Sequence, residues 1–284
     1  MGRAASFVSG FVSVGRMRTV SLAAGTILDV APADAVTVAA EAGYTSVGIW
    51  FDPAVWTDVV GDDVRTRASQ HGIAVLDIEP IMLVPAGGSS ADHGEAIVDA
   101  AMRIGARNIL VASRDTDDAR VAGRLSELSS RLDGTDIRLV LEFLPILGVR
   151  TLPQALAIVK DADDPRLGVL VDSLHLARAG HAPTDLATVD PLLLPYLQLC
   201  DAPATAPDET TGGLIQEALH GRLLPGQGAL PLSELLAVVP HVPISLELRS
   251  QALMALYPDP VDRSRAVRLS MEAVMTTTTT TTAL

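Results

Sequence analysis

Carboxylate and amide side chains interrupt several apolar runs of this sequence, and their types suit the binding of a metal ion. Four such residues end, or lie inside, short runs rich in Leu, Val and Ile: Glu142, Asp172, Gln198 and Glu247. Isolated buried carboxylates are costly, so three of them brought together require a compensating cation. Oxygen ligands favour Mn²⁺ or Mg²⁺, with Co²⁺, Fe²⁺ and Zn²⁺ as further candidates. We therefore predict that these residues bind one divalent metal ion.

Two residues of this set and one histidine are also candidates for proton transfer. Glu142 and Glu247 are predicted to remove and return a proton from opposite sides of a bound substrate. His175 follows Asp172 at a predicted strand-to-helix turn, where it is a candidate for substrate hydrogen bonding or acid/base chemistry. Each residue also has a structural interpretation. A glutamate at a strand end often pairs with a neighbouring arginine, and a buried histidine is often only satisfied by its surroundings.

Three further residues are candidates for contact with a substrate. Arg222 lies in the segment Leu219-His220-Gly221-Arg222, where it could reach an oxygen-rich compound or simply face solvent in a tight turn. Trp50 follows an apolar run, as one wall of a pocket, and Glu79 ends another apolar run. These three residues are predicted to bind substrate.

Eight apolar runs, most of them followed by a helical pattern, are positioned to present these side chains. The predicted strands are Val20–Ala24, Ser46–Trp50, Ala74–Glu79, Asn108–Ser113, Arg138–Leu144, Leu167–Ser173, Tyr196–Cys200 and Ile244–Arg249. The predicted helices include Pro32–Ala42, Gly94–Ile104, Ala119–Leu132, Leu152–Lys160, Leu232–Val238 and Val261–Val274.

This alternation predicts an α/β fold with parallel strands, and eight repeats predict a single (β/α)8 TIM barrel. An open doubly wound sheet is the alternative. It lacks support because Ala23-Ala24-Gly25-Thr26 is not a dinucleotide-binding fingerprint, which also argues against a nicotinamide oxidoreductase. Active sites of such barrels lie at the carboxyl ends of the strands, where the candidate residues fall.

The ends of the chain lack the pattern of the middle. Residues 1–17 are predicted to be a flexible extension, and their short apolar stretch also permits a signal-peptide interpretation. Residues 18–275 are predicted to form the barrel domain. Residues 276–284 are a threonine-rich segment without an apolar face and are predicted to be disordered.

Composition narrows the class of partner. The net charge of −13 disfavours nucleic acid, whose binding depends on Lys and Arg, and no apolar run reaches the length of about 20 residues needed to span a membrane. The single cysteine, Cys200, excludes an internal disulfide framework and a cysteine-rich zinc site and is compatible with the cytoplasm. We expect a cytoplasmic protein that binds a small molecule.

The sequence resembles the sugar phosphate isomerase/epimerase superfamily, the xylose-isomerase-like barrels, over about residues 18–274. The segments that carry the resemblance are Leu141-Glu142-Phe143, Val171-Asp172-Ser173-Leu174-His175, Leu197-Gln198-Leu199-Cys200-Asp201, Leu224-Pro225-Gly226-Gln227-Gly228 and Leu246-Glu247-Leu248. The resemblance implies the same four metal ligands, with His175 and Arg222 facing substrate. It also suggests a homodimer.

One position departs from the commonest pattern of that superfamily, in which residue 198 is a histidine. Gln198 offers a neutral carbonyl oxygen, and glutamine is found there in members that resemble 3-dehydroshikimate dehydratase. The endonuclease IV branch needs several more histidines than the one suitably placed here.

These observations predict a metal-dependent isomerase or epimerase that acts on a ketose, a sugar phosphate or a related polyol ketone through an enediolate. One alternative is a metal-dependent dehydratase of the 3-dehydroshikimate or inosose type. The other, from a different class, is a non-catalytic barrel that binds a sugar or a partner protein.

Overall fold

The structure, a computed structural model, describes the backbone of residues 18–85, 87 and 93–282. Eight parallel strands pair in chain order and close into a barrel, with β1 hydrogen-bonded to both β2 and β8. The predicted (β/α)8 barrel is confirmed. The predicted extension at residues 1–17 lies outside the described residues.

The strands match the predicted runs, with differences at their ends. They are β1 Val20–Leu22, β2 Ser46–Trp50, β3 Ala74–Leu83, β4 Asn108–Ser113, β5 Arg138–Glu142, β6 Leu167–Asp172, β7 Leu197–Leu199 and β8 Ile244–Leu246. Strand β3 extends beyond the predicted end at Glu79 because Ile81–Leu83 pair with β4 after a shift of register. Strands β1, β7 and β8 are shorter than predicted, so Glu247 follows a strand rather than lying within one.

Helices cover the outside of the barrel. They are α1 Pro32–Glu41, α2 Asp58–His71, α3 Gly94–Ile104, α4 Asp118–Ser130, α5 Leu152–Ala162, α6 Ser173–Arg178, α7 Gly213–His220, α8 Leu232–Val238, α9 Gln251–Leu256 and α10 Pro260–Thr282. Among the described residues, no helix is long and apolar enough to cross a membrane.

Helix α2 was not predicted because its sequence is mostly polar. Its buried residues are only Gly61, Val64 and Ala68. Its ends are well formed, since the Thr57 side chain accepts a hydrogen bond from the Val60 amide and Gly72 closes the helix with φ of 67°. The apolar stripe of α2 is weak, so packing against α1 and α3 provides the remaining stabilisation of the helix.

Helix α10 continues past residue 275, into the segment for which the sequence predicts disorder. Its backbone remains helical through Thr282, and residues 283–284 lie outside the described part of the chain. The helix is anchored in the core by Val267 and Met271, and the Thr276 hydroxyl donates to the Glu272 carbonyl. A helix nucleated by such packing is extended at low cost, even through threonines of modest helix propensity.

The strands present two faces to different surroundings. On β5, Leu139 and Leu141 belong to the large cluster between the strands and the helices, whereas Val140 belongs to a small separate cluster. That inner cluster fills the barrel interior with Leu76, Leu110, Val140, Leu170 and Tyr196. The inward positions near the carboxyl ends of the strands are polar instead, and they form the floor of the candidate site.

Asp77 is a buried acid within this interior. Its Oδ2 accepts a hydrogen bond of 2.8 Å from the Tyr196 hydroxyl, and its Oδ1 has no hydrogen-bond partner among the described residues. Burial raises the pKa of Asp77 to about 7, against a lowering by the Tyr196 hydrogen bond and with a further increase from Glu247. Between the ordinary carboxyl pKa and about pH 7, Asp77 is therefore protonated in the folded protein and ionised in the unfolded chain.

This difference predicts a dependence of stability on pH that Asp77→Asn removes. The contribution of Asp77 to the free energy of unfolding is full below about pH 4 and is lost as pH rises to about 7, with a slope of at most about 1.4 kcal/mol per pH unit. The asparagine accepts the same hydrogen bond and does not titrate. Urea unfolding of both proteins across that interval checks this, and curves that remain parallel would contradict it.

Candidate metal and substrate site

Three side chains from β5, β6 and α6 converge at the carboxyl end of the barrel. Single ligand atoms of Glu142, Asp172 and His175 all lie within 4.8 Å of one another. Glu142 is 6% exposed, Asp172 0% and His175 3%. The structure thus brings together two of the predicted metal ligands and adds His175 beside them.

Asp172 holds its position because it caps the helix that follows. Its Oδ1 accepts hydrogen bonds from the backbone amides of Leu174 at 2.7 Å and His175 at 3.2 Å, at the first turn of α6. Its Oδ2 faces Arg222. The same cap directs His175 into the site, where its Nε2 lies 3.8 Å from Glu142 Oε1.

Arg222 is buried between two of the predicted metal ligands. Its Nη1 lies 2.6 Å from Asp172 Oδ2 and 3.1 Å from Glu247 Oε2, while its Nε donates to the Ala218 carbonyl. The side chain is 3% exposed. Arg222, which the sequence predicts to bind substrate, is here the counter-ion of Asp172 and Glu247.

Gln198 lies inside the barrel next to Asp172, its register partner on the neighbouring strand. Its Nε2 donates to Glu79 Oε2 at 3.3 Å, and its Oε1 has no hydrogen-bond partner among the described residues. Glu79 is 2% exposed. Glu79, which the sequence predicts to bind substrate, thus contacts Gln198, a predicted metal ligand.

Glu247 follows β8 and packs against the backbone of the first βα turn. A Cβ at Gly25 would lie 2.3 Å from Glu247 Oε1, so a larger residue there would displace this carboxylate. Two residues on, Arg249 places its guanidinium carbon 5.8 Å from the centre of a Trp50 ring. Trp50, predicted as a pocket wall, is half-buried and contacts Arg249.

Arg249 is not among the residues that the sequence predicts for the site, although its charge acts on two of them. Its positive charge lowers the pKa of both Glu142 and Glu247, although burial dominates and raises both. Its spacing of two from Glu247 is the signal that could have identified it, because alternate residues of an extended segment face the same side.

Charge repulsion and burial dominate the titration of the site. Burial raises the pKa of Glu142, followed by the charges of Glu247 and Asp172. Burial also acts on Asp172, but Arg222 and then His175 outweigh it and lower its pKa. Burial lowers the pKa of His175 to about 4, so the imidazole is neutral at neutral pH and its contact with Glu142 is not an ion pair.

Asp201 and the Leu224-Pro225-Gly226-Gln227-Gly228 segment form a structural unit next to the site. Asp201 Oδ2 accepts from the amides of Gly226 and Gly228, both at 2.9 Å, and Oδ1 accepts from Leu230 at 3.0 Å. A Cβ at Gly228 would lie 2.3 Å from the Ala202 carbonyl oxygen. Asp201 therefore holds the loop that follows Arg222.

The side chains present fit a divalent cation. Glu142, Asp172, Gln198 and Glu247 are all buried, and Glu142 and Asp172 offer ligand atoms within 4.8 Å of each other. Gln198 Oε1 is a buried acceptor without a donor among the described residues. Arg222 neutralises part of the carboxylate charge but donates to neither Gln198 nor Glu142 in its recorded contacts. Glu142, Asp172, Gln198 and Glu247 would hold the ion, with His175 adjacent.

Sequence comparisons relate this chain to a known family of barrels. A family model described as the xylose isomerase-like TIM barrel matches residues 36–272. A 3-dehydroshikimate dehydratase of Pseudomonas aeruginosa is 27% identical over 231 residues, covering 76% of this chain and 36% of the relative. The chain thus spans about a third of the length of the curated relatives it matches.

Solved structures share the fold at lower identity. A xylose isomerase-like TIM barrel/4-hydroxyphenylpyruvate dioxygenase fusion protein has a TM-score of 0.78 at 22% identity, covering 93% of this chain and 43% of that chain. A protein named IOLI, solved with a zinc atom, has a TM-score of 0.75 at 17% identity, with 91% and 98% covered. A D-psicose 3-epimerase solved with D-fructose has a TM-score of 0.69 at 15% identity, with 91% and 99% covered.

Proposed function

The chain belongs to the xylose isomerase-like TIM barrel family, and from that premise we propose that it is a metal-dependent enzyme that abstracts a proton next to the carbonyl of a small polyhydroxylated ketone. The observation that carries the proposal is the burial of Glu142, Asp172 and Glu247 together with Gln198 Oε1, a buried oxygen that no described residue hydrogen-bonds. Such a group is costly without a cation. Mn²⁺ and Mg²⁺ suit these oxygen ligands, and Co²⁺, Fe²⁺ or Zn²⁺ are the other candidates.

When bound, the cation would supply Lewis-acid stabilisation of negative charge on a substrate oxygen. The protein's own residues handle the proton. A carboxylate oxygen of Glu142 or Glu247 takes the proton from carbon. His175, neutral at neutral pH, orients a substrate hydroxyl by hydrogen bonding rather than acting as an imidazolium acid. Arg222 pairs with Asp172 and Glu247 here, and it would be available to a substrate oxygen if those carboxylates were neutralised by a bound cation.

The first candidate reaction is the loss of water from a compound of the 3-dehydroshikimate type. Two observations favour it: the relative of that name at 27% identity and Gln198 in place of histidine. One carboxylate takes the proton next to the carbonyl, and the bond from carbon to the β-hydroxyl breaks as the double bond forms. The hydroxyl then leaves as water with the proton that the carboxylic acid returns.

The second candidate is isomerisation or epimerisation of a ketose. The observation that favours it is the placement of the two possible bases. Glu142 ends β5 and Glu247 follows β8, with Asp172 and Gln198 on the strands between them. Two carboxylates from separated strands could remove a proton from one side of a carbon and return it to the other.

The experiment begins with metal analysis of protein purified without chelator or metal-affinity resin. We expect about one divalent ion per chain. Incubation with 3-dehydroshikimate and with D-fructose in D₂O then separates the two reactions: dehydration lowers the product mass by one water, whereas isomerisation retains the composition and incorporates deuterium from solvent.

A wild-type protein that retains no metal after Mn²⁺ addition and dialysis would overturn the enzyme proposal. In that case a non-catalytic barrel that binds a sugar or a partner protein becomes the better interpretation. A protein that binds metal but converts neither compound would overturn the assignment of both substrate classes.

A further inference from the structure

Glu79 is a buried acid that pairs with no arginine or lysine of the described residues. It is 2% exposed and lies on β3, and its Oε2 accepts a hydrogen bond from Gln198 Nε2 at 3.3 Å. The other buried acid of this strand, Asp77, pairs with the Tyr196 hydroxyl instead. The contact of Glu79 thus joins β3 to β7 across the barrel interior.

The two ends of the Gln198 amide have different chemistry. Only the carbonyl oxygen can ligate a cation, whereas the nitrogen only donates hydrogen bonds. Glu79 Oε2 accepts a hydrogen bond from Nε2 here, and a carboxyl group keeps an accepting oxygen whether it is ionised or protonated. This contact favours the orientation in which Nε2 faces Glu79. In that orientation Gln198 Oε1 is left without a partner among the described residues, next to Asp172 in the strand register.

We propose that Glu79 is a positioning residue, which holds the Gln198 amide so that its carbonyl oxygen is presented to the metal. The inference rests on the proposed function, since it assumes a metal at this site. Groups that hydrogen-bond to metal ligands orient them, and their loss typically lowers metal affinity by about 10–100-fold. The sequence predicts that Glu79 binds substrate. In this proposal it acts through Gln198 instead.

The test measures Mn²⁺ affinity of metal-free protein by calorimetry, which requires no turnover. Glu79→Leu is expected to weaken binding by about 10–100-fold, because the amide is then free to turn its nitrogen to the cation. Glu79→Ala tests the same loss with a smaller side chain, should the leucine variant fail to fold. Glu79→Gln retains a carbonyl acceptor for Nε2 and should bind within about threefold of wild type.

The Gln198→Ala background distinguishes positioning from a general structural effect. If Glu79 acts through the amide, Glu79→Leu has almost no further effect on Mn²⁺ affinity once the amide is gone. Asp77→Asn is the matched control, as a buried acid of the same strand that does not contact Gln198, and it should retain wild-type affinity. Thermal unfolding without metal establishes that each variant is folded.

Several results would overturn the inference. Unchanged affinity in both Glu79→Leu and Glu79→Ala would do so, as would an equal loss in the Gln198→Ala background. A loss in Glu79→Gln as large as in Glu79→Leu would indicate that charge, not orientation, is the cause. Wild type that binds Mn²⁺ but converts no ketone would overturn the proposed function and leave this inference standing, whereas wild type without metal would overturn both.

Discussion

Replacement of Glu142 by glutamine should lower kcat/KM by about a thousandfold or more and weaken metal binding, while the metal-free protein becomes no less stable than wild type. The first effect follows because one side chain serves as ligand and as proton acceptor, and removal of a general base alone typically costs about 10²–10⁴-fold. Activity and metal binding should fall while the stability of the metal-free protein does not. This combination is expected of a metal ligand and not of a carboxylate that only stabilises the fold.

The stability effect follows from the cost of the buried charge. Burial, Glu247 and Asp172 all raise the pKa of Glu142, so its ionised form is disfavoured in the metal-free protein. Glutamine has nearly the same shape and carries no charge. Urea unfolding in the presence of chelator, combined with metal analysis and turnover of the metal-loaded protein, measures both effects.

A buried carboxylate outside the site provides the control. Glu217 is 8% exposed and pairs with Arg178 Nη2 at 2.7 Å, so it already has its counter-ion. Glu217→Gln should destabilise the fold and retain the metal. If Glu142→Gln bound metal as tightly as wild type, the assignment of Glu142 as a ligand would be wrong.

Replacement of Arg222 by methionine should destabilise the metal-free protein by about 3–5 kcal/mol and tighten its binding of Mn²⁺. Removal of one partner of a buried ion pair leaves its charge uncompensated. Here the guanidinium faces both Asp172 and Glu247, at 2.6 and 3.1 Å. With the guanidinium gone, an added cation becomes the main positive charge available to these carboxylates.

Addition of metal should therefore recover part of the lost stability. A ligand present at about 100 times its Kd contributes about 2.7 kcal/mol to a protein that binds it only when folded. At equal Mn²⁺ concentration the gain should exceed that of wild type, because the affinity is higher. Thermal unfolding with and without Mn²⁺ measures both quantities, and turnover should be lost in either case.

Arg178→Met is the matched control, since it breaks a buried arginine–glutamate pair that no metal is proposed to replace. It should lose stability that Mn²⁺ does not recover beyond the wild-type gain. If Arg222→Met bound Mn²⁺ more weakly than wild type, Arg222 and the metal would not compete for the same carboxylates.

Much of the fold followed from local patterns. Strands β2 and β4 and helices α3 and α8 have the predicted bounds, because β-branched runs and amphipathic stripes with clear ends determine them. The errors have local causes. Pro80 interrupts the pattern of β3, and the polar surface of α2 conceals a helix that packing stabilises.

The residues of the site, like the elements of the fold, could be predicted only in part from local patterns. Residue types and their places at strand ends indicated Glu142, Asp172, Gln198 and Glu247, because parallel strands of a barrel direct these ends to one face. The partners of Arg222 and Glu79 could not be predicted from any local pattern. These contacts join residues 50 and 119 positions apart in the chain, and they depend on which rotamers the packed interior permits.

The sequence by itself therefore determined that a barrel with buried carboxylate and amide oxygens forms, since periodicity and burial of apolar side chains act locally along the chain. Only the tertiary structure decided which acids obtain a counter-ion. Asp172 and Glu247 share Arg222, while Glu142 lies against a neutral histidine and Glu79 against an amide. The reason is that electrostatic pairing depends on distances of a few ångströms between side chains that closure of the barrel brings together.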